Sequence, residues 1–180
     1  LGIVYRHITR VNYKADGYGF LPKERWHVII VDSRSGKYKH LTDGEHYDEI
    51  EPRWMPDGRH VVFMSNRCEN PDFNPDVVDI YTTNIEGGEL RKIPTHEGLK
   101  NMPTPSPDGK WIAFVGREHR ADWAQNDRLW IVPFEGNSDP INLTKQNDFS
   151  VASSVINDVG GTDVTCPTWS PDGKSIYIQI

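Results

Sequence analysis

The sequence predicts an all-β chain and, within that class, a segment of β-propeller built from four-stranded antiparallel blades. Three observations carry that reading. Val and Ile together number 29 of the 180 residues against 12 for Leu and Ala together, so the apolar residues are those that suit a pleated surface better than a helix. Gly and Pro add up to 28, a content that fits frequent tight turns and falls short of a low-complexity polymer. Most informative is an internal repeat with a period near 50 residues, within the range of propeller blades.

The repeat is anchored by three Pro-Asp-Gly turns: Pro52-Arg53-Trp54-Met55-Pro56-Asp57-Gly58, Pro103-Thr104-Pro105-Ser106-Pro107-Asp108-Gly109 and Pro167-Thr168-Trp169-Ser170-Pro171-Asp172-Gly173. Pro sets φ near −65° at the second position of a type I turn, Asp bonds its own turn backbone, and Gly takes the left-handed position that follows. Asp57, Gly58, Asp108, Gly109, Asp172 and Gly173 are therefore expected as structural turn residues joining two strands. An apolar run follows each turn, at His60 to Met64, Trp111 to Val115 and Ser175 to Ile180.

A second strand-turn-strand unit alternates with the first. Trp26 to Asp32 leads through Ser35-Gly36 to Leu41-Thr42, Asp79 to Asn84 leads through Gly87-Gly88 to Ile93-Pro94, and Arg128 to Pro133 leads through Gly136 to Leu143-Thr144. Several of these strands are apolar on successive residues, as expected for a sheet packed on both faces between neighbours. Trp54 and Trp169 share a repeat position and are expected to wedge into the core. The blades are permuted: residues 1–50 hold an extension and a half-blade, 51–94 and 101–144 each hold a blade, 145–164 form an insertion, and 165–180 form a second half-blade. That is about three blades' worth of strands.

With 20 basic and 26 acidic residues the net charge is −6, which argues against a nucleic-acid or anionic-membrane partner. No apolar run approaches the roughly 20 residues that span a bilayer. Cys68 and Cys166 lie in no CxxC arrangement, so neither a disulfide framework nor a zinc site is indicated. A cytoplasmic location is the default, with export open if a signal precedes residue 1. The seven histidines are scattered without HExxH or His-x-His spacing, and no metal or cofactor is implied.

Leu41-Thr42-Asp43-Gly44, followed by Glu51 to Arg59 and by Phe63-Met64-Ser65-Asn66-Arg67, resembles the blade repeat of TolB-type propellers. It equally resembles the propellers of prolyl oligopeptidase family serine peptidases. Three further stretches, Ile8 to Phe20, Gly116 to Trp123 and Val155 to Asp158, are more similar to the acylaminoacyl-peptidase branch of that family. The resemblance implies a non-catalytic propeller that gates peptide substrates on their way to a C-terminal α/β-hydrolase domain of the same parent protein. A TolB-like scaffold that binds protein is the alternative. The nucleophile elbow Gly-x-Ser-x-Gly is absent, and its nearest approach, Gly136-Asn137-Ser138-Asp139-Pro140, sits in an expected turn.

The loop at 116–127 is longer than a plain hairpin and mixes charge with an aromatic, so Arg117, Glu118, His119, Arg120 and Trp123 are the candidate contacts for substrate or partner. The acidic run Asp43, Glu45, Asp48, Glu49 and Glu51 could offer a peptide amino group a pair of carboxylates, but a solvated loop between blades is the simpler reading. Asn142-Leu143-Thr144 fits a glycosylation sequon inside an expected strand and is discounted. Propeller rings need about four to eight blades, so the strand count leaves two closures. Either the chain is part of a longer propeller, the preferred reading, or two copies associate, the half-blade near Trp26 to Thr42 of one completing the half-blade at Thr165 to Ile180 of the other.

Overall fold

A computed structural model describes residues 5–17, 19–88, 90–118, 124–152 and 164–180. In chain order the strands are β1 (Lys14–Ala15), β2 (Gly19–Phe20), β3 (Ile29–Val31), β4 (Tyr38–His40), β5 (Glu49–Trp54), β6 (His60–Ser65), β7 (Asp79–Asn84), β8 (Arg91–Lys92), β9 (Lys100–Pro105), β10 (Trp111–Gly116), β11 (Arg128–Pro133), β12 (Ile141–Asn142), β13 (Thr168–Trp169) and β14 (Ile176–Tyr177). Among the described residues there is no α-helix, and one 3₁₀ turn occupies Pro71–Phe73. The all-β class is as the composition predicts.

Two sheets have four strands, in the orders β5-β6-β7-β8 and β9-β10-β11-β12, and every pairing is antiparallel. These are propeller blades, each a meander running outward from its inner strand. The pairs β3-β4 and β13-β14 flank them as half-blades, and β1-β2 forms a hairpin in the N-terminal extension. The outer strands β8 and β12 are only two residues long, which limits the exposed edge each blade presents.

The unbroken apolar runs are explained by which neighbour each face meets. On β6, Val61 and Phe63 join Val28 in a cluster toward β3-β4, while Val62 and Met64 join the cluster between the two blades. On β10, Ile112 and Phe114 face that same interblade cluster, while Ala113 and Val115 face the C-terminal half-blade with Leu129 and Val151. Side chains alternate across a strand, so a blade with a sheet on either side needs apolar residues at every position. The ends of the stack confirm the logic by contrast. Ile29 and Val31 are 45% and 54% exposed and Tyr177 is 67% exposed, since no further blade among the described residues covers them.

All three Pro-Asp-Gly turns have one geometry. Gly58, Gly109 and Gly173 sit at φ +65°, +72° and +70°, and each donates its N–H to the residue three before it, Met55, Ser106 or Ser170. In the second and third turns the serine hydroxyl donates to the Asp carboxylate at 2.6 Å and accepts the N–H of Trp111 or Ser175. The serine hydroxyl, and after it the Lys110 or Lys174 N–H, holds the Asp108 or Asp172 carboxyl below its usual range. Successive turns also touch: Pro56 lies beside Gly109 and Pro107 beside Gly173, at 3.7 and 4.0 Å from where a Cβ would sit.

A bulge recurs on the inner strands. Glu51 and Met102, 51 residues apart, have φ of 53° and 58°, each directly before a proline that cannot donate to the ladder. The two bulges are linked, since the Glu51 carboxylate accepts the Met102 N–H.

The shared wedge role expected for Trp54 and Trp169 is corrected. Trp169 is half-buried, packs on the cluster around Val115, and donates its indole N–H to Thr104 O at 3.0 Å. Trp54 is 54% exposed. The difference lies in what precedes each blade: Trp169 reaches the inner strand β9 of the blade before it, whereas the sheet before β5 consists of β3 and β4, which are outer strands.

Candidate functional site

Antiparallel order sends alternate connections to opposite ends of the blades. The Pro-Asp-Gly turns and the turns at 32–37, 85–88 and 134–140 share one end. The connections at 41–48, 66–78 and 93–99, and the described parts of those at 117–127 and 143–167, share the other. One end is therefore built of tight hairpins and the other of longer loops, where recognition residues concentrate in rigid β scaffolds.

The loops at 41–48 and 93–99 are footed on buried polar groups. The Glu49 side chain, fully buried at the start of β5, pairs with Arg67 and with His27 Nδ1 at 2.8 Å and accepts the Thr42 hydroxyl at 2.9 Å. Thr42 in turn accepts the Val28 N–H, and its repeat mate Thr144 accepts the Leu129 N–H. One blade on, the position of Glu49 is taken by Lys100, 1% exposed, whose ammonium donates to Val78 O, Gly98 O and Asp79 at 3.0, 2.9 and 3.2 Å. Lys92 also pairs with Asp79, at 2.5 Å. Burial pushes the Lys100 ammonium below its usual pKa, and Asp79 opposes that shift.

His96 sits beside this ion cluster. Its ring is 4.3 Å from the Trp130 ring, centre to centre, and Nδ1 lies 2.7 Å from Glu97 O. The buried Nε2 has no hydrogen-bond partner. Burial lowers the imidazole pKa, and the Glu97 carbonyl opposes the change without reversing it.

Of the residues expected to make contacts, two are described. Arg117, at the near foot of its loop, forms an ion pair with Asp127 at the far foot, 3.5 Å away, and its backbone N–H donates to Leu99 O. Burial raises the Asp127 pKa and Arg117 counters it. Glu118 is exposed. His119, Arg120 and Trp123 lie outside the described residues. Arg117 thus holds the loop closed, which its sequence neighbourhood does not reveal because Asp127 is ten residues away.

The acidic run is not a solvated loop, and this expectation is corrected. Only Asp43 and Glu45 are exposed in it; Asp48 binds Arg25 at 3.0 Å and the Trp26 N–H, Glu49 is buried as described, and Glu51 holds the Met102 bulge. These partners come from three other elements, so no reading of the run alone would find them. Nor does the run offer free paired carboxylates to an amine.

The N-terminal extension adds a feature that the sequence did not announce. Arg10 makes a bidentate pair with Asp72, at 3.2 and 2.9 Å, tying the extension to the 66–78 loop. Together they border an open cleft of about 730 Å³ whose wall includes Arg25, Tyr47, Asn70 and Phe73, the last 72% exposed. No group of three or more His, Cys, Asp or Glu suited to a metal occurs among the described residues, and no helix among them is long and apolar enough to cross a membrane.

No family model matches the chain. Among curated proteins it is 27% identical over 109 residues to the Tol-Pal system protein TolB of Francisella tularensis, covering 60% of this chain and 23% of that one. It is 32% identical over 104 residues to the uncharacterized peptidase YuxL of Bacillus subtilis, covering 58% and 14%, and 24% identical over 165 residues to dipeptidyl-peptidase 5 of Porphyromonas gingivalis, covering 84% and 22%. The chain thus spans about a quarter or less of these relatives. Among solved structures, a TolB from Agrobacterium tumefaciens superposes with a TM-score of 0.51 at 25% identity, over 63% of this chain and 39% of that one. Repeat, blades and relatives converge on one description: the chain is a run of TolB-like β-propeller blades, homologous to TolB and to the propellers of peptidases.

Proposed function

We propose that the chain serves as the non-catalytic propeller portion of an acylaminoacyl-peptidase-like serine peptidase, gating the approach of peptides to an α/β-hydrolase domain of the same protein. The observation that carries this reading is the asymmetry of the blades. One end is closed by tight turns, and the other gathers every long loop, the extension tied down by Arg10 and Asp72, and a cleft large enough for a few peptide residues. The similarity to two proteins named as peptidases supports it. Glu118, with Arg117 positioning the loop, would present the contacts together with His119, Arg120 and Trp123, which lie outside the described residues.

Among the described residues no nucleophile is flanked by a base and oxyanion donors, which acyl transfer requires. Purified alone, the chain is expected to hydrolyse neither peptides nor esters and to leave a fluorophosphonate serine-hydrolase probe unattached. The deciding test is the sequence encoded after Ile180: further blades followed by an α/β-hydrolase with Gly-x-Ser-x-Gly support the peptidase reading, and an immediate stop codon overturns it. The similarity to TolB favours a second reading, a scaffold that binds protein, which a stoichiometric protein partner retained by the isolated chain would support.

A further inference from the structure

The N-terminal extension runs against the charge of the rest. Residues 1–25 carry five basic side chains against two acidic ones, in a chain of net charge −6. Two of its arginines are drawn onto acids of the long-loop rim, Arg10 to Asp72 and Arg25 to Asp48. The pairing leaves donors over. Arg10 uses Nε and Nη2 on the two Asp72 oxygens, and Arg25 uses Nη1 on Asp48 Oδ2 at 3.0 Å and Nε on Glu45 O at 3.3 Å. Asp48 Oδ1 accepts the Trp26 N–H at 2.9 Å, so all four carboxylate oxygens are engaged. Arg10 Nη1 and Arg25 Nη2 have no hydrogen-bond partner among the described residues, and a guanidinium Nη carries two N–H groups. Neither nitrogen is buried. The two side chains are only 22% and 12% exposed, so these donors are held in place while still open to a solute.

They stand at the waist of a continuous cleft. Arg10, Arg25 and His46 line both the cavity of about 730 Å³ and a second one of about 260 Å³ beside it. The smaller reaches inward to Ile50, Pro75 and Val78. A cavity of about 150 Å³ already takes a benzene ring, so the inner one has room for an apolar side chain. The larger is bordered by Tyr47 and Phe73. Surplus donors at the waist call for a group that only accepts, and an ionised carboxylate is acceptor-only. Charge narrows the choice further. Asp48, Asp72 and Glu69 outnumber the two arginines along the cleft, so a doubly charged phosphate is repelled more than a singly charged carboxylate.

We propose that this cleft binds the C-terminal residue of a peptide. Its carboxylate is taken at the waist by Arg10 Nη1 and Arg25 Nη2, its apolar side chain enters the inner cavity, and the preceding residues leave past Tyr47 and Phe73. The site stands apart from the peptidase reading, since a scaffold that holds the end of a partner protein would use it in the same way, and it is read by binding without hydrolysis.

Fluorescence anisotropy of the 180-residue chain with an N-terminally labelled tripeptide ending in leucine tests it, with the C-terminal amide of the same peptide as competitor. The acid should bind about tenfold or more tightly than the amide, the ratio set by losing hydrogen bonds between charged groups. Arg25→Lys keeps a cation for Asp48 but removes the free Nη2 donors. It should bring the acid-to-amide ratio toward one with the amide unchanged, whereas an arginine with a merely structural role would weaken both ligands alike. Ile50→Trp fills the inner cavity without touching an ion pair, and should weaken the leucine peptide while sparing one that ends in glycine. Inorganic phosphate should not compete. Equal affinity for acid and amide, an unchanged ratio in Arg25→Lys, displacement by phosphate, or binding of isocaproate as tight as that of the peptide overturns the proposal. Ile50→Trp decides the matter if Arg25→Lys does not fold, and equal loss of the leucine and glycine peptides there overturns it too.

Discussion

Trp169 and Thr104 stand 65 residues apart, yet the indole N–H of the first donates to the carbonyl of the second at 3.0 Å. The bond stitches the inner strand of one sheet to the inner strand of the sheet before it. Its repeat mate Trp54 has no such strand to reach among the described residues and is 54% exposed.

The pair gives a matched comparison. Trp169→Phe keeps the ring and loses the donor, and should cost about 1 kcal/mol, the ordinary net worth of a hydrogen bond. Trp54→Phe should stay within about 0.5 kcal/mol, as surface changes do. Urea unfolding of the two variants checks the ordering; equal effects would contradict the asymmetry.

Gly109 sits at φ +72° with Pro56 already in van der Waals range of a would-be Cβ. Gly109→Val therefore meets backbone strain before it meets crowding, and should lower stability by about 1 to 2 kcal/mol. Chemical denaturation monitored by tryptophan fluorescence measures this. A neutral substitution would mean the turn relaxes into another type.

Lys100 is buried against Asp79. Removing one partner of a buried pair leaves the other charge unpaired, so Asp79→Ala should destabilise by about 3 to 5 kcal/mol. Lys100→Met should cost less, because the Asp79 carboxylate keeps its ion pair with Lys92, although the Val78 and Gly98 carbonyls lose a donor. Thermal unfolding of both, with the double variant closing the cycle, separates the cost of an orphaned charge from the worth of the pair.

His96 predicts a pH dependence. Burial holds its folded pKa below that of the unfolded chain, which takes up a proton near pH 6.5. As pH falls below about 6.5 the unfolded state binds more protons than the folded one, so stability is full above that pH and declines below it. Glu118 and Asp79 soften the effect and Lys100 sharpens it. His96→Phe should flatten the stability profile between about pH 6.5 and pH 5, a window above the range in which the turn carboxylates titrate. An unchanged slope would assign the pH response to another group.

Local rules carried much of this fold into the sequence. Pro56-Asp57-Gly58 and its two repeats specify their own geometry through residues no more than five apart, and the run Val61 to Met64 betrays a sheet covered on both faces. Features decided by a distant partner stayed hidden. Glu49 looks like one more acid in an acidic run until Arg67 and His27 close around it, and Arg117 looks like a loop-tip contact until Asp127 fixes it at the loop's foot. Trp54 failed differently: its environment depends on a neighbouring sheet, which no property of its own repeat unit records.

The contacts of Pro56 with Gly109 and of Pro107 with Gly173 give the tight-turn rim the character of a hinge line. Successive sheets are spaced there by rigid, short-range contacts, so any variation in their splay must be expressed at the opposite rim. Loops of unequal length can be accommodated on that side without disturbing the pivot, and a small rotation between adjacent sheets would widen or narrow the mouth bordered by Asn70 and Phe73.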